Sequence, residues 1–213
     1  MEIAILVYDG FDELDAVGPY EVFENAAAAG ADCSVSLLTL EPADRVTASH
    51  GLRIEPDGTL DRGDPDGSFE GNVADPDLLV VPGGGWADGS DPGARTVAED
   101  GAVPDAIAAL HGRGATVAGV CTGGMILSRA GVLDGRPAVT HASALDELRG
   151  TDARVVEARV VDDGDVVTAG GVTSGLDLAV HLVRREFGEA VADAVTTTME
   201  YEPRGEVYRG DGD

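Results

Sequence analysis

The sequence predicts an α/β fold, with a mostly parallel central sheet covered by helices on both faces. Two observations lead there. Short continuous apolar runs, the pattern of strands buried on both faces, alternate along the chain with helical stretches. Several of those runs also end directly in glycine-rich turns, as strands do where a parallel sheet meets its ligand edge. At 213 residues the chain can bury a full core, and neither a linker nor an internal repeat divides it. Residues 1–213 therefore read as a single domain.

The elements follow in order. Ile3–Tyr8 is the first apolar run, and Glu13 to Ala29 is helical in pattern and stopped by Gly30. Ser34–Leu40 reads as a second strand, and Val46–Ile54 as a short hairpin. The stretch EPDGTLDRGDPDGSFEGNVADPD is so rich in Pro, Gly and Asp that most of it is expected to be a surface loop. Leu78–Val81 is a strand leading into PGGG, and Arg95–Gly112 is an alanine-rich helix. Thr116–Val120 is a strand, followed by Cys121 and a helix to about Ala130. Ala138–Thr140 leads to His141 and a short helix, SALDELR. ARVVEARVVDDGDVVTAGG reads as a hairpin turning at Asp163–Gly164. Thr173–Phe187 and Glu189–Thr198 are helical, and residues 201–213 are expected to be an extended tail.

Composition narrows the function. Forty acidic residues stand against 14 basic ones, giving a net charge of -26, and every basic residue is arginine. Such a chain is repelled by nucleic acid and by anionic membranes, so neither is expected as a partner. The acids are spread between apolar segments, which suits a solvated surface in a high-salt cytoplasm. No apolar run is long enough to span a membrane, and MEIAILVYDGF lacks the basic start of a signal peptide, so a cytoplasmic location is expected. Two cysteines, Cys33 and Cys121, are too few for a disulfide framework, and no histidine pair has metal-ligand spacing. No metal or cofactor is expected.

The chemistry is expected beyond the carboxyl ends of the strands. That edge collects DGFDELD, Gly83-Gly84-Gly85-Trp86, Cys121-Thr122, His141 and Gly170-Gly171. Cys121 lies in Gly-x-Cys-x-Gly, the spacing of a nucleophile elbow, whose small neighbours allow a sharp strand-to-helix turn. The helix that follows should favour a thiolate and lower the thiol's pKa. The N–H of Thr122, with one from Gly84 or Gly85, could form an anion hole. Among Asp9, Asp12, Glu13 and Asp15, Asp15 precedes an apolar stretch and could turn inward as the thiol's proton partner. His141 is as consistent with a scaffold role as with a catalytic one, Cys33 reads as core, and His50, His111 and His181 read as surface or core.

Together, AILVYDGFDELDAVGPYEVF, LLVVPGGG, GVCTGGMILSRAGVLDGRPAVTH and GGVTSGLDLAVHLV resemble the DJ-1/PfpI superfamily, also described as class I glutamine amidotransferase-like. Within it the chain looks most like the isonitrile hydratase branch and the related domains of some transcription regulators. The resemblance implies a flavodoxin-like three-layer sandwich and a homodimer. It assigns Cys121 as nucleophile with Asp15 and Thr122 as partners; Gly84, Gly85, His141 and Gly171, from their place at the strand ends, are expected to line the substrate site. There are departures. Thr122 replaces the histidine that follows the nucleophile in the PfpI-type proteases. His181-Leu182-Val183 lacks the late His-x-Glu of glutamine amidotransferases, and Ala142 replaces the branch's aromatic residue after the threonine–histidine pair. A one-chain regulator of the helix-turn-helix type, with a DNA-binding extension, is not expected.

Three functions compete. The first is a cysteine-dependent small-molecule enzyme, an isonitrile hydratase-like lyase forming N-substituted formamides. The second is a redox or ligand sensor of the DJ-1 type, with Asp15 bonded to an oxidised sulfur. The third is a glyoxalase or deglycase acting on small aldehydes, which would need His141 to reach Cys121.

Overall fold

The computed structural model describes residues 1–61, 73–87, 89 and 91–210. In chain order its elements begin β1 (Glu2–Leu6), α1 (Glu13–Ala28), β2 (Ser34–Thr39), β3 (Val46–Thr47), β4 (Arg53–Ile54), β5 (Gly58–Leu60), β6 (Val73–Ala74) and β7 (Leu78–Val81). Then come α2 (Ala94–Asp100), α3 (Ala102–Gly112), β8 (Thr116–Val120), α4 (Gly123–Arg129), β9 (Pro137–Ala138), a 3-10 turn (Ala142–Ala144) and α5 (Leu145–Leu148). The chain ends with β10 (Arg154–Val155), β11 (Val160–Asp162), β12 (Val166–Ala169), α6 (Ser174–Phe187), α7 (Glu189–Thr198) and β13 (Val207–Arg209).

The central sheet runs β13-β11-β12-β8-β7-β1-β2-β5-β6. Its ladders are parallel except β11 with β12, the hairpin that turns at Asp163–Gly164. The inner strands β1, β7 and β8 are buried along almost their whole length, which is why their sequences are apolar without alternation. Helices α1, α6 and α7 pack together as one outer layer, and α2, α3 and α4 as the other. This is the three-layer α/β sandwich expected.

Three expectations need correction. The alanine-rich segment is two helices, because Gly101 takes φ +88° and breaks it, and the second helix carries Pro104 in its first turn, where a missing N–H costs little. The Pro/Gly/Asp-rich stretch is not all loop: β5 and β6 emerge from it and extend the sheet, while residues 62–72 lie outside the described residues. The tail is extended, but Val207–Arg209 joins the sheet beside β11 and residues 211–213 lie outside the described residues. Among the described residues no helix is long and apolar enough to cross a membrane.

Two glycines let the layers close. Beside Gly175 of α6 a Cβ would meet Val120 Cγ1 at 2.9 Å, and Gly18 of α1 faces Leu176 at 3.1 Å. Helices α1 and α6 can therefore lie close over the end of β8, where Cys121 begins. Pro19 lies inside α1 and cannot donate to the carbonyl four residues back, that of Asp15.

Candidate active site

Cys121 lies between β8 and α4 with φ 57°, in the left-handed region that a non-glycine residue enters at a cost of about 1–3 kcal/mol. The surroundings hold it there. Its N–H donates to Ala169 O (3.1 Å) and Gly170 O (2.9 Å), and its carbonyl accepts from Thr140 Oγ1 at 2.9 Å. The flanking glycines are required by close approach: a Cβ on Gly123 would sit 2.1 Å from Val81 O, and one on Gly119 would sit 2.9 Å from Leu127 Cδ1. The expected elbow geometry is therefore present, with Cys121 only 6% exposed.

Asp15 is fully buried in the first helical turn after the cap Asp12. Its Oδ2 accepts the Gly83 N–H at 3.0 Å, and its Oδ1 has no hydrogen-bond partner among the described residues. Burial, reinforced by the nearby Asp12 charge, pushes its pKa up to about 8 against the help of the Gly83 N–H and the Cys121 side chain. At neutral pH Asp15 thus holds a proton beside the sulfur. The thiol differs from expectation. Burial first, and then the Asp15 charge, push Cys121 up to about 12, although the N–H groups of Thr122 and Val172 point the other way. A seven-residue helix does not overcome that desolvation. The pair keeps both protons at neutral pH and gives up the first near 8.

Thr122 is 2% exposed and anchors the Gly83–Gly85 turn. Its hydroxyl accepts the Gly84 N–H (3.0 Å) and donates to the Gly84 carbonyl (2.9 Å). Of the two glycines expected to complete an anion hole, Gly84 is unavailable because its N–H is spent on Thr122, while the N–H groups of Thr122 and Val172 favour a charged sulfur. The same turn is fixed by Tyr8, whose hydroxyl lies 2.8 Å from Pro82 O, and by Asp12 N–H donating to Gly83 O. Thr122→Ser should keep activity, whereas Thr122→Val should leave both Gly84 groups unpaired. For the valine variant we expect a stability loss of about 1–3 kcal/mol in a urea melt and a fall in turnover smaller than that of an Asp15 variant.

Val172 is positioned from behind. The Arg159 carbonyl accepts the Gly170 N–H (3.1 Å), its Nη2 donates to Thr173 Oγ1 (2.9 Å), and its Nε pairs with the buried Asp177. Asp177 also accepts from Tyr201 Oη and the Arg204 N–H, which ties the C-terminal segment to this loop.

A cavity of about 400 Å³ opens over the sulfur, lined by Asp12, Ser49, His50, Gly84, Gly85, Trp86, Ala87, Cys121, Thr122, His141, Ser143 and Val172. His141 faces it, but its Nδ1 accepts the Ser143 N–H at 3.2 Å and lies 2.8 Å from Ser143 Oγ. A neutral ring with its proton on Nε2 satisfies that arrangement. Among the described residues no hydrogen bond joins this ring to Cys121, whereas the Asp15 charge acts on the thiol. Gly171 gives the ring room, since a Cβ there would meet His141 Cδ2 at 2.9 Å. Trp86 is pinned by Nε1 donating to Glu147 (2.9 Å) and by Arg95 over its ring at 4.5 Å.

Sequence reasoning missed Ser49, His50 and Val172, and it placed Trp86 at this edge without giving it a role. His50 is carried to the rim by the β3–β4 hairpin, where it pairs with Glu13 at 2.6 Å. Asp12, Glu13 and His50 bring ligand-type atoms within 4.8 Å of one another, but Glu13 is already satisfied by His50 and Ser49. His181 is core, paired with Asp162 at 2.6 Å. Cys33 is half-buried against the core.

The chain is 32% identical over 203 residues to the isonitrile hydratase of Pseudomonas putida, covering 95% of this chain and 79% of that one. It is 28% identical over 169 residues to a deglycase of Thermococcus kodakarensis, covering 79% of this chain and 89% of the relative. The crystal structure of a THiJ/PfpI family protein from Pseudomonas syringae superposes with a TM-score of 0.79 at 32% identity, covering 95% of this chain and 76% of that one. The pattern of the DJ-1/PfpI family matches residues 1–185, the span that carries most of the sandwich, the strained cysteine and the buried acid, and the chain belongs to that family.

Proposed function

We propose that the protein hydrates small isonitriles to N-substituted formamides, with Cys121 as nucleophile, Asp15 as proton shuttle and Thr122 as the residue that holds the turn. The observation that carries this reading is the buried Asp15 carboxyl beside the Cys121 sulfur, with its pKa near 8 and one oxygen unpartnered. A group titrating near the working pH serves as base and acid in turn. As carboxylate, Asp15 takes the thiol proton and passes it to the isonitrile carbon while the sulfur–carbon bond forms. The product is a thioimidate. Asp15 then takes a proton from water as its oxygen attacks the same carbon, and delivers it to nitrogen. The tetrahedral adduct collapses, the sulfur–carbon bond breaks, and the hydroxyl proton returns through Asp15 to sulfur. The sum is one water added to one isonitrile.

A second reading is a deglycase or glyoxalase acting on small aldehydes, supported by the Thermococcus relative. The same thiol would add to the aldehyde carbon. Isonitriles and 2-oxoaldehydes offered side by side to the wild type and to Cys121→Ala separate the two. Formamide formed only with Cys121 present supports the hydratase, and turnover of the aldehydes alone would replace it.

The reading includes a homodimer and a high-salt cytoplasm. With a net charge of -26, carboxylate repulsion should weaken the fold in dilute buffer. The melting temperature should rise between about 0.1 M and 1 M KCl, where the Debye length shrinks from about 10 to 3 Å. A flat or falling melting temperature would remove the halophilic part of the reading.

A further inference from the structure

Among the described residues the lining of the Cys121 cavity offers one carboxylate, that of Asp12, and no arginine, although the chain has 14. Of its two histidines, His50 is matched by Glu13 at 2.6 Å, and His141 is committed through Nδ1 to Ser143. Asp12 caps α1 by accepting the Leu14 N–H at 3.2 Å, and its carboxylate lies within 4.8 Å of the His50 ring, which Glu13 holds more closely at 2.6 Å. Asp12 acts electrostatically on both Asp15 and Cys121, so its field reaches the reacting atoms. The groove leading out of the cavity is lined by Asp12, Glu13, Leu14, His50, Leu52 and Val172. Leu14 and Leu52 are 37% and 44% exposed, the large apolar side chains left open to solvent among the described residues. A substituent leaving the cavity therefore passes apolar surface and carboxylates.

Resting on the reading of Cys121 as nucleophile, we infer that the site selects electrophiles with a neutral or cationic substituent and turns away those bearing a carboxylate or phosphate, with Asp12 as the selecting residue. An anionic substituent here would meet a like charge and find no arginine to pair with. Isonitriles and simple 2-oxoaldehydes with apolar or ammonium-bearing groups fit, and 2-oxo acids do not.

The test uses three methanethiosulfonate probes that share one reacting group and carry a methyl, a trimethylammonium or a sulfonate end. Labelling rates at Cys121 and Cys33 are read by mass spectrometry and normalised to 2-mercaptoethanol, at low and at molar KCl. The overall charge of the chain biases both thiols, so Cys33 is the internal reference. The ammonium-to-sulfonate rate ratio should be higher at Cys121. It should fall roughly tenfold on Asp12→Asn, the scale Coulomb's law gives for unit charges a few ångströms apart in partly solvated surroundings. Asparagine caps helices as well as aspartate, so the fold is retained. The ratio at Cys33 should not move. An unchanged ratio at Cys121 in Asp12→Asn overturns the inference and leaves the nucleophile reading standing. Failure of every probe to label Cys121 overturns both.

Discussion

Asp15→Asn should lower isonitrile turnover by at least about 100-fold while moving the stability of the protein upward at alkaline pH. The first part follows from the loss of a transferable proton, general acid–base help being worth about 10²–10⁴ in rate. The second follows from linkage. The carboxyl has a pKa near 8 in the folded protein and an ordinary value of 3.8 outside it. Between these values the folded state binds the proton and the unfolded state does not, so the group's contribution to stability falls as pH rises from about 4 to 8. A shift of that size is worth several kcal/mol, on the order of 1.4 per unit. Asparagine does not titrate and escapes the penalty. It leaves amide hydrogens unpaired, at a roughly pH-independent cost of about 1–3 kcal/mol. Urea melts from pH 4 to 8 should therefore show the difference between variant and wild type moving in favour of the variant. Wild-type turnover should climb through pH 8 as the first proton leaves the pair, and the variant should lack that limb. Parallel stability curves would show that Asp15 is ionised throughout and would remove its role as the shuttle.

Gly123→Ala should be the most damaging single methyl group that can be added near the site. Its Cβ would meet the Val81 carbonyl oxygen at 2.1 Å and Pro82 C at 3.0 Å, both backbone atoms that cannot rotate aside. Either β7 or the start of α4 must move, and with it Thr122 and the sulfur. A loss of at least about 3 kcal/mol is expected, with turnover lost even where the fold survives. Gly112→Ala is the matched control. It ends α3, has nothing within 4 Å of the added Cβ, and should be neutral or stabilising by up to about 1 kcal/mol. Equal effects at the two glycines would mean that the elbow has slack.

These two residues also show how far the sequence could be read. Gly119 and Gly123 around a cysteine announced the elbow, and the φ of 57° at Cys121 is the conformation that spacing exists to permit. Asp15 was legible from the apolar residues that follow it, since they must turn one helix face inward. The ionisation of the pair was not legible. A helix N-terminus is visible in sequence, but desolvation depends on what surrounds the sulfur, and those surroundings include Val172 and Asp15, far apart in the chain. His50 was missed for a similar reason: the β3–β4 hairpin carries it to the rim, and its local sequence has no feature of a binding residue. The strands β5 and β6 were hidden because two or three residues paired at a sheet edge leave no periodicity. The break at Gly101 was available in Gly101 and Pro104, but the alanine-rich pattern on either side reads through it.

The most direct test is to acid-quench the protein during turnover of a small isonitrile and weigh it intact, then map the modified residue. The account predicts an adduct equal to the whole mass of the isonitrile on Cys121, since addition expels no leaving group. That adduct should be absent from Cys121→Ala, which should form no formamide, and should form more slowly in Asp15→Asn. Formamide produced at the wild-type rate by Cys121→Ala, or an adduct mapped to Cys33 with Cys121 unmodified, would contradict it.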